Sequence, residues 1–142
     1  MKKAVSEILE ECSKLSKRSE KIQFLKSNWN PTIGQILAYA FDPQWEFELP
    51  EGAPPYKPSE FDEYGRLYAE AKKIHRLFVK GVEPNYEKLP ALKRESLFIQ
   101  TLEGLYADDA KLLVAVKDKK MPYKGITKKL IMEAYPGLIK EE

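Results

Sequence analysis

Five prolines fall between residues 43 and 58, in the stretch DPQWEFELPEGAPPYKPSEF. Proline has no N–H to give a helix interior or a sheet ladder, and it disfavours helical geometry in the residue before it. No regular element of any length can run through this stretch, so it divides the chain into two blocks. Within it Trp45, Phe47 and Leu49 alternate with Glu46 and Glu48, the period-two pattern of extended backbone with one face buried. The expectation is a long, ordered excursion without helix, pinned to the rest of the molecule by its aromatics. From Asp42 to Glu70 there are eight acids and two bases, a poor surface for DNA. The functional alternative is an arm that binds a partner protein through Trp45, Phe47 and Tyr56, since long ordered loops are often functional.

The block before the prolines reads as three short helices. Val5, Ile8, Leu9, Cys12 and Leu15 recur at spacings of three and four, with Glu7, Glu10, Glu11 and Lys14 opposite them. Ser19 looks like the N-cap of a second helix through Ser27, with Ile22 and Leu25 inside and Lys21 and Lys26 outside. Asn30-Pro31 is a further start signal, an Asx cap followed by proline at the first helical position, and Ile33, Ile36, Leu37 and Ala40 supply the apolar face. That helix should end near Phe41, before Pro43.

Ser59 with Asp62 three residues on predicts the start of the longest helix, ending at Gly81 and buried along Tyr64, Leu67, Tyr68, Ala71, Ile74 and Phe78. Lys72, Arg76 and Lys80 form a basic stripe on it. His75, the only histidine, lies beside the apolar face and reads as structural rather than catalytic or metal-binding. A turn through Glu83-Pro84-Asn85 leads to a helix opening near Pro90 and running to about Tyr106, with Leu92, Phe98, Ile99, Leu102 and Leu105 inside. The fold class is therefore all-α: a compact bundle of six or seven helices with one Pro-rich extended excursion, in a single domain over residues 1–142.

The closing stretch, Asp108 to Ile139, concentrates the positive charge. Lys111 to Ile131 holds seven lysines and one acid, Asp118, a local excess of +6 in a chain of formal net charge +2. Asp108 and Asp109 can accept from first-turn N–H groups of a helix whose apolar side is Leu112, Leu113 and Val116. Pro122 and Gly125 interrupt it, and Thr127 caps a second helix carrying Leu130, Ile131 and Ala134, which Pro136-Gly137 ends. Lysines beside a glycine and a helix start suit an anion such as a DNA phosphate. The plainer reading is a solvated lysine face.

Other chemistry is missing from the sequence. No glycine-rich phosphate loop, nucleophile elbow or pairing of cysteines or histidines at metal spacing occurs. The carboxylates are scattered, so the expectation is a protein that is not an enzyme and uses no cofactor and no metal. Cys12, the single cysteine, cannot form an intramolecular disulfide and reads as a packed core thiol. Met1-Lys2-Lys3 opens like a signal peptide, but Glu7, Glu10 and Glu11 fall where an apolar run is required. No apolar stretch approaches the ~20 residues of a membrane span, and a cytoplasmic location without membrane association is expected.

Two runs resemble a known family. ILEECSKLSKRSEKIQFLKSNWNPTIGQILAYAFDP (Ile8 to Pro43) and LLVAVKDKKMPYKGITKKLIMEAYPGLI (Leu112 to Ile139) are similar to the start and end of the all-helical N-terminal DNA-binding domain of ATP-dependent DNA ligases, the T-even phage enzyme especially. With FELPEGAPPYKP between them, the chain also resembles a family of small uncharacterised proteins from large tailed phages and cyanophages. The most specific positions are Lys117-Asp118, Gly125-x-Thr127 and Tyr135-Pro136-Gly137-Leu138-Ile139. In the ligases the basic residue and the glycine-led helix start face the duplex backbone, so the resemblance implies that role for Lys117, Gly125 and Thr127. This chain has a few extra residues in the Lys119–Lys124 turn and no K-x-D-G adenylation motif, so no ligase activity is implied. The expectation is a sequence-independent protein for double-stranded DNA, of phage origin and acting in the host cytoplasm. Its phosphate contacts would come from Lys117, Lys119, Lys120, Lys124, Lys128 and Lys129, aided by Gly125 and Thr127. The alternative is a module that binds a phage or host protein through the acidic aromatic arm, residues 45–56.

Overall fold

The structure, a computed structural model, describes residues 3–82 and 89–140. Seven α-helices occur among them: α1 (Val5–Ser13), α2 (Arg18–Ser27), α3 (Pro31–Phe41), α4 (Arg66–Phe78), α5 (Ala91–Gly104), α6 (Ala107–Lys117) and α7 (Lys128–Ala134). The all-α expectation holds. The two blocks of sequence interleave in space: α1 packs on α2 and α6, α3 on α4 and α6, α2 on α7, and α5 on α4 and α6. One apolar cluster collects residues from all seven helices, with Tyr39, Phe78 and Phe98 the largest fully buried side chains. Burying each large apolar side chain contributes about 1.5–3 kcal/mol. No helix among the described residues is long and apolar enough to cross a membrane.

Local signals that act over three residues behave as expected. Asn30 Oδ1 accepts from Ile33 N at 2.9 Å with Pro31 at the first position of α3, and Thr127 Oγ1 accepts from Leu130 N at 3.2 Å to open α7. Cys12 is fully buried, and burial pushes its thiol pKa up. Other boundaries differ. α2 opens at Arg18, because Glu20 rather than Ser19 closes the first turn by accepting from Lys17 N at 3.4 Å. α4 starts at Arg66, not beside Ser59; the Ser59 hydroxyl instead accepts from Phe61 N at 3.1 Å in a local turn, and Phe61 is 72 % exposed, so a helix there would bury nothing. α4 stops at Phe78 before reaching Gly81, because Val79 leaves to pair with the arm. The longest helix is α5. The predicted Glu83-Pro84-Asn85 turn lies outside the described residues.

The arm is extended, ordered in its contacts and without helix. Phe47 and Val79 form an antiparallel bridge, closed by Glu48 N to Phe78 O at 2.8 Å and Lys80 N to Glu46 O at 2.7 Å. Trp45, Phe47 and Leu49 are half-buried against the core while Glu46 and Glu48 between them are exposed. Farther on, Gly52 N donates to Asp118 Oδ2 and Lys57 N to Glu103 Oε2, both at 2.9 Å. On α5, Leu92 is 82 % exposed, against expectation; the inner face runs through Arg94, Phe98, Thr101 and Leu102, and a charged residue holds the place assumed for an apolar one.

Asp109 is also placed unexpectedly. It is fully buried, and its Oδ1 accepts from Ser6 N in α1 at 2.9 Å instead of capping α6. Neither Asp109 Oδ2 nor Ser6 Oγ has a hydrogen-bond partner among the described residues. Burial raises the Asp109 carboxyl above the ordinary carboxylate range, with Glu7 and Asp108 adding repulsion. A folded pKa above the unfolded one makes the fold most stable below the unfolded value, and that stability is lost as pH rises through the folded value. Asp109→Asn keeps the acceptor for Ser6 N and offers a donor to Ser6 Oγ. Urea unfolding should show the variant gaining about 1 kcal/mol over the parent at pH 7, with the gap narrowing as pH falls towards 4.

Candidate nucleic-acid interface

The lysines of the C-terminal stretch divide into two groups that the sequence does not distinguish. Lys117, at the end of α6, is buried. Its Nζ donates to Pro50 O at 2.8 Å and to Asp118 Oδ1 at 2.7 Å. Asp118 in turn accepts from Gly52 N. The basic–acid pair therefore buckles the arm to α6, and Lys117 has no face left for a phosphate.

Lys119 is held in a different way. α6 ends in a Schellman turn, with Lys119 N bonded to Val116 O at 3.0 Å and Lys120 N to Ala115 O at 2.9 Å. The turn puts Lys119 at φ 62°, a left-handed position usually taken by glycine. Its side chain crosses to the end of α3, where Nζ donates to Tyr39 O and Asp42 O at 2.8 Å each and also to Trp45 O. Partial burial lowers its pKa, against the opposing pull of Asp42 and Glu46. An ammonium at the carboxyl end of a helix satisfies its last carbonyls and opposes the negative end of its dipole. Lys119 is thus a cap for α3 and an anchor for the start of the arm, which removes a second expected phosphate contact.

The remaining expected lysines are on the outside. Lys120, Lys124 and Lys129 are exposed and Lys128 is half-buried. None of the four makes an ion pair among the described residues. Gly125 has φ +82°, and a Cβ there would lie 2.6 Å from the Lys21 ammonium. Glycine is favoured at this point for its backbone conformation, while the Lys21 ammonium, at the end of a flexible side chain, lies close to it. Lys21 therefore joins the group, bringing the neighbouring Arg18, which pairs with Glu133 at 2.7 Å. Lys21 was visible in the sequence only as an outward residue of α2; the need for a close approach at Gly125 was visible, but not what would approach. Thr127 faces its own helix as a cap, and α7 has only seven residues, so its amide groups add little to an anion site.

Residues proposed for the alternative site are committed to the core. Trp45, Phe47 and Tyr56 are half-buried and packed on the apolar cluster, Phe47 edge-on to Tyr39 with ring centroids 4.9 Å apart. What the arm offers outward is acid: Glu46, Glu48 and Glu51, with Glu95 of α5 and Asp118, line a groove of about 580 Å³. Among the described residues no group of three or more histidines, cysteines or carboxylates could hold a metal ion.

No curated protein and no solved structure matches this chain. A family model matches residues 8–123, a range that starts within α1, takes in α2 to α6 and the whole arm, and ends just before Lys124. By that match the chain belongs to a family of unknown function, DUF6433.

Proposed function

We propose that the protein binds the phosphate backbone of double-stranded DNA without sequence preference, through Lys21, Lys120, Lys124, Lys128 and Lys129. The observation that supports this reading is the closeness of the Lys21 ammonium to Gly125, which brings a basic residue of α2 to the lysine turn. The resemblance of residues 8–43 and 112–139 to the DNA-binding domain of ATP-dependent ligases supports DNA as the partner, although of the positions it singles out only Gly125 stays beside the proposed lysines. Lys117 and Lys119 are not part of the surface, being bonded to carbonyl groups of the chain.

Binding by lysines alone is weak and dependent on salt. If about four phosphates are neutralised, affinity falls ~100-fold between 50 and 200 mM salt. Fluorescence anisotropy of a labelled duplex at the two concentrations measures this directly. Lys120→Glu, Lys124→Glu and Lys129→Glu combined should abolish binding while leaving the melting temperature nearly unchanged, since exposed lysines contribute little to stability. A parent protein that does not bind at 50 mM salt and high micromolar concentration, or a triple variant that binds as well as the parent, ends this reading. The second reading, capture of a basic protein partner by the acids of the arm, rests on the acidic groove beside Glu46, Glu48 and Glu51. It would take the place of the first in that event.

A further inference from the structure

On another side of the molecule a groove of about 580 Å³ runs between Trp29 and Trp45, with Gln35, Gln44, His75 and Lys140 along it. Among the described residues no carboxylate lines it, and its one fixed charge there is the Lys140 ammonium. Trp29 remains 47 % exposed although it sits directly on α3. Its ring reaches so close to Gly34 that a Cβ there would lie 2.4 Å from Cη2, and its edge rests on Tyr135 at 4.8 Å between centroids. Trp45 packs edge-on against His75 at 5.1 Å, and His75 stacks on Tyr39 at 5.8 Å. The groove thus has two positioned indoles as walls, a glycine and Ala38 in its floor, and polar groups between.

The hydrogen bonds below the groove determine what those polar groups offer. Gln35 Nε2 donates to Tyr39 Oη at 2.7 Å and to Ala71 O at 2.9 Å, so its amide hydrogens are taken and Oε1 is the end left over. Tyr39 Oη accepts that hydrogen and lies 2.6 Å from His75 Nδ1; at 1 % exposure its hydroxyl has no other acceptor among the described residues, so the arrangement that satisfies both groups has it donate to Nδ1. His75 Nδ1 is then an acceptor, and the neutral ring carries its hydrogen on Nε2. Partial burial lowers the His75 pKa, in keeping with a neutral ring. Gln44 Nε2 donates to Asp42 Oδ2 at 3.2 Å, again leaving Oε1. Two carbonyl acceptors, of Gln35 and Gln44, and two N–H donors, His75 Nε2–H and the second hydrogen of Gln44 Nε2, remain without partners among the described residues, so the fixed polarity is that of Gln35 and His75.

We infer that this groove binds a nucleobase bearing an exocyclic amine, adenine or cytosine, stacked against the tryptophans with its phosphate near Lys140. On their pairing edge these two bases place an amine, which can serve the Gln35 carbonyl, next to a bare ring nitrogen, which can accept from His75 Nε2; guanine has a ring N–H beside its amine on that edge. Thymine and uracil have a carbonyl and an N–H in those places, the opposite polarity. The base can come from a free nucleotide or from an unpaired stretch of a strand. The inference does not rest on duplex binding, because different residues are involved.

The chain has two tryptophans and both line the groove, so intrinsic fluorescence reports on it directly. The full chain is titrated at pH 8 with cytidine and thymidine monophosphates and with dC and dT hexamers. The cytosine ligands should quench and should bind about tenfold more tightly than their thymine counterparts, the effect of one reversed hydrogen-bond pair. Tighter binding of the dC hexamer than of the monophosphate assigns the site to a strand; equal binding assigns it to a free nucleotide. Trp29→Ala should lose at least tenfold, in the range for base–aromatic stacking, and Gly34→Ala should weaken binding by displacing Trp29 without altering a polar group. His75→Phe keeps a ring beneath Trp45 and should erase the preference for cytosine over thymine. Circular dichroism confirms that each variant is folded. The charge-reversed triple variant should lose the duplex yet keep cytosine binding, so the two sites can fail separately. Absence of quenching by cytosine ligands at millimolar concentration, or equal affinity for cytosine and thymine, overturns the inference.

Discussion

Lys117→Met should lower the unfolding free energy by about 3 kcal/mol, the usual cost of stranding one member of a buried ion pair. The side chain of Lys117 is 2 % exposed and that of Asp118 is 11 % exposed, so water does not take the place of the lost partner. Methionine fills most of the volume but leaves Asp118 Oδ1 and the Pro50 carbonyl without their donor. Adding Asp118→Asn should restore part of the loss, because it removes the stranded charge and keeps an acceptor for Gly52 N. Lys120→Met, three residues away and exposed, should stay within about 0.5 kcal/mol of the parent. Urea denaturation followed by circular dichroism separates these outcomes. A Lys117 variant as stable as the Lys120 variant would show that the buckle between α6 and the arm does not hold the fold.

Arg94→Met should cost roughly 2 kcal/mol, from the loss of a charged donor to two main-chain carbonyls rather than from the ion pair, whose Glu48 is 43 % exposed. Arg94 is 2 % exposed, and its guanidinium ties three parts of the chain together: Nε donates to Leu77 O at 3.1 Å near the end of α4, and Nη1 donates to Leu89 O at 3.2 Å and pairs with Glu48 of the arm at 3.4 Å. Methionine can occupy the space, but it returns none of these donors to carbonyls that are away from water. Lysine has one nitrogen where arginine has a planar fork, so Arg94→Lys should recover only part of the loss. The Leu77 carbonyl lies next to the Phe78–Glu48 bond, so the variant should also be cleaved faster by protease within residues 45–56. Unchanged stability and unchanged cleavage would contradict the role assigned to Arg94.

The same two residues explain what the sequence could disclose. The helices are legible because their signals are periodic and local: Val5, Ile8, Leu9 and Cys12 define a face without reference to anything else, and Asn30 and Thr127 act within three residues. The arm is legible because prolines forbid the alternatives. The end of α4 is not, since Val79 leaves the helix to meet Phe47, more than thirty residues earlier. The lysines are the hardest case. Seven of similar appearance lie between residues 111 and 131, yet Lys117 and Lys119 differ from Lys120 and Lys124 only through the carbonyls of Pro50, Tyr39 and Asp42, which no local pattern places beside them. Arg94 follows the same logic: set between Lys93 and Glu95, it gives no sign in the sequence that three distant groups will receive it.

The interleaving of the two sequence blocks has a consequence for how the chain folds. Helical bundles usually fold fast because their contacts are close in sequence. Here the bonds that join elements span 67 residues at Lys117–Pro50, 80 at Lys119–Tyr39, 98 at Lys140–Asp42, 103 at Ser6–Asp109, 110 at Tyr135–Leu25 and 115 at Arg18–Glu133. Each of the first three helices has its largest helix partner among the last two, although α1 also packs on α2 and α3 on α4. On a ribosome making ~5–20 residues per second, α1 to α3 would wait on the order of 5–20 s for α6 and α7 to emerge. During that interval the apolar faces of Ile8, Leu9, Ile36 and Leu37 have little to cover them, and the nascent chain is a client for whatever holds hydrophobic segments apart until the last helix is released.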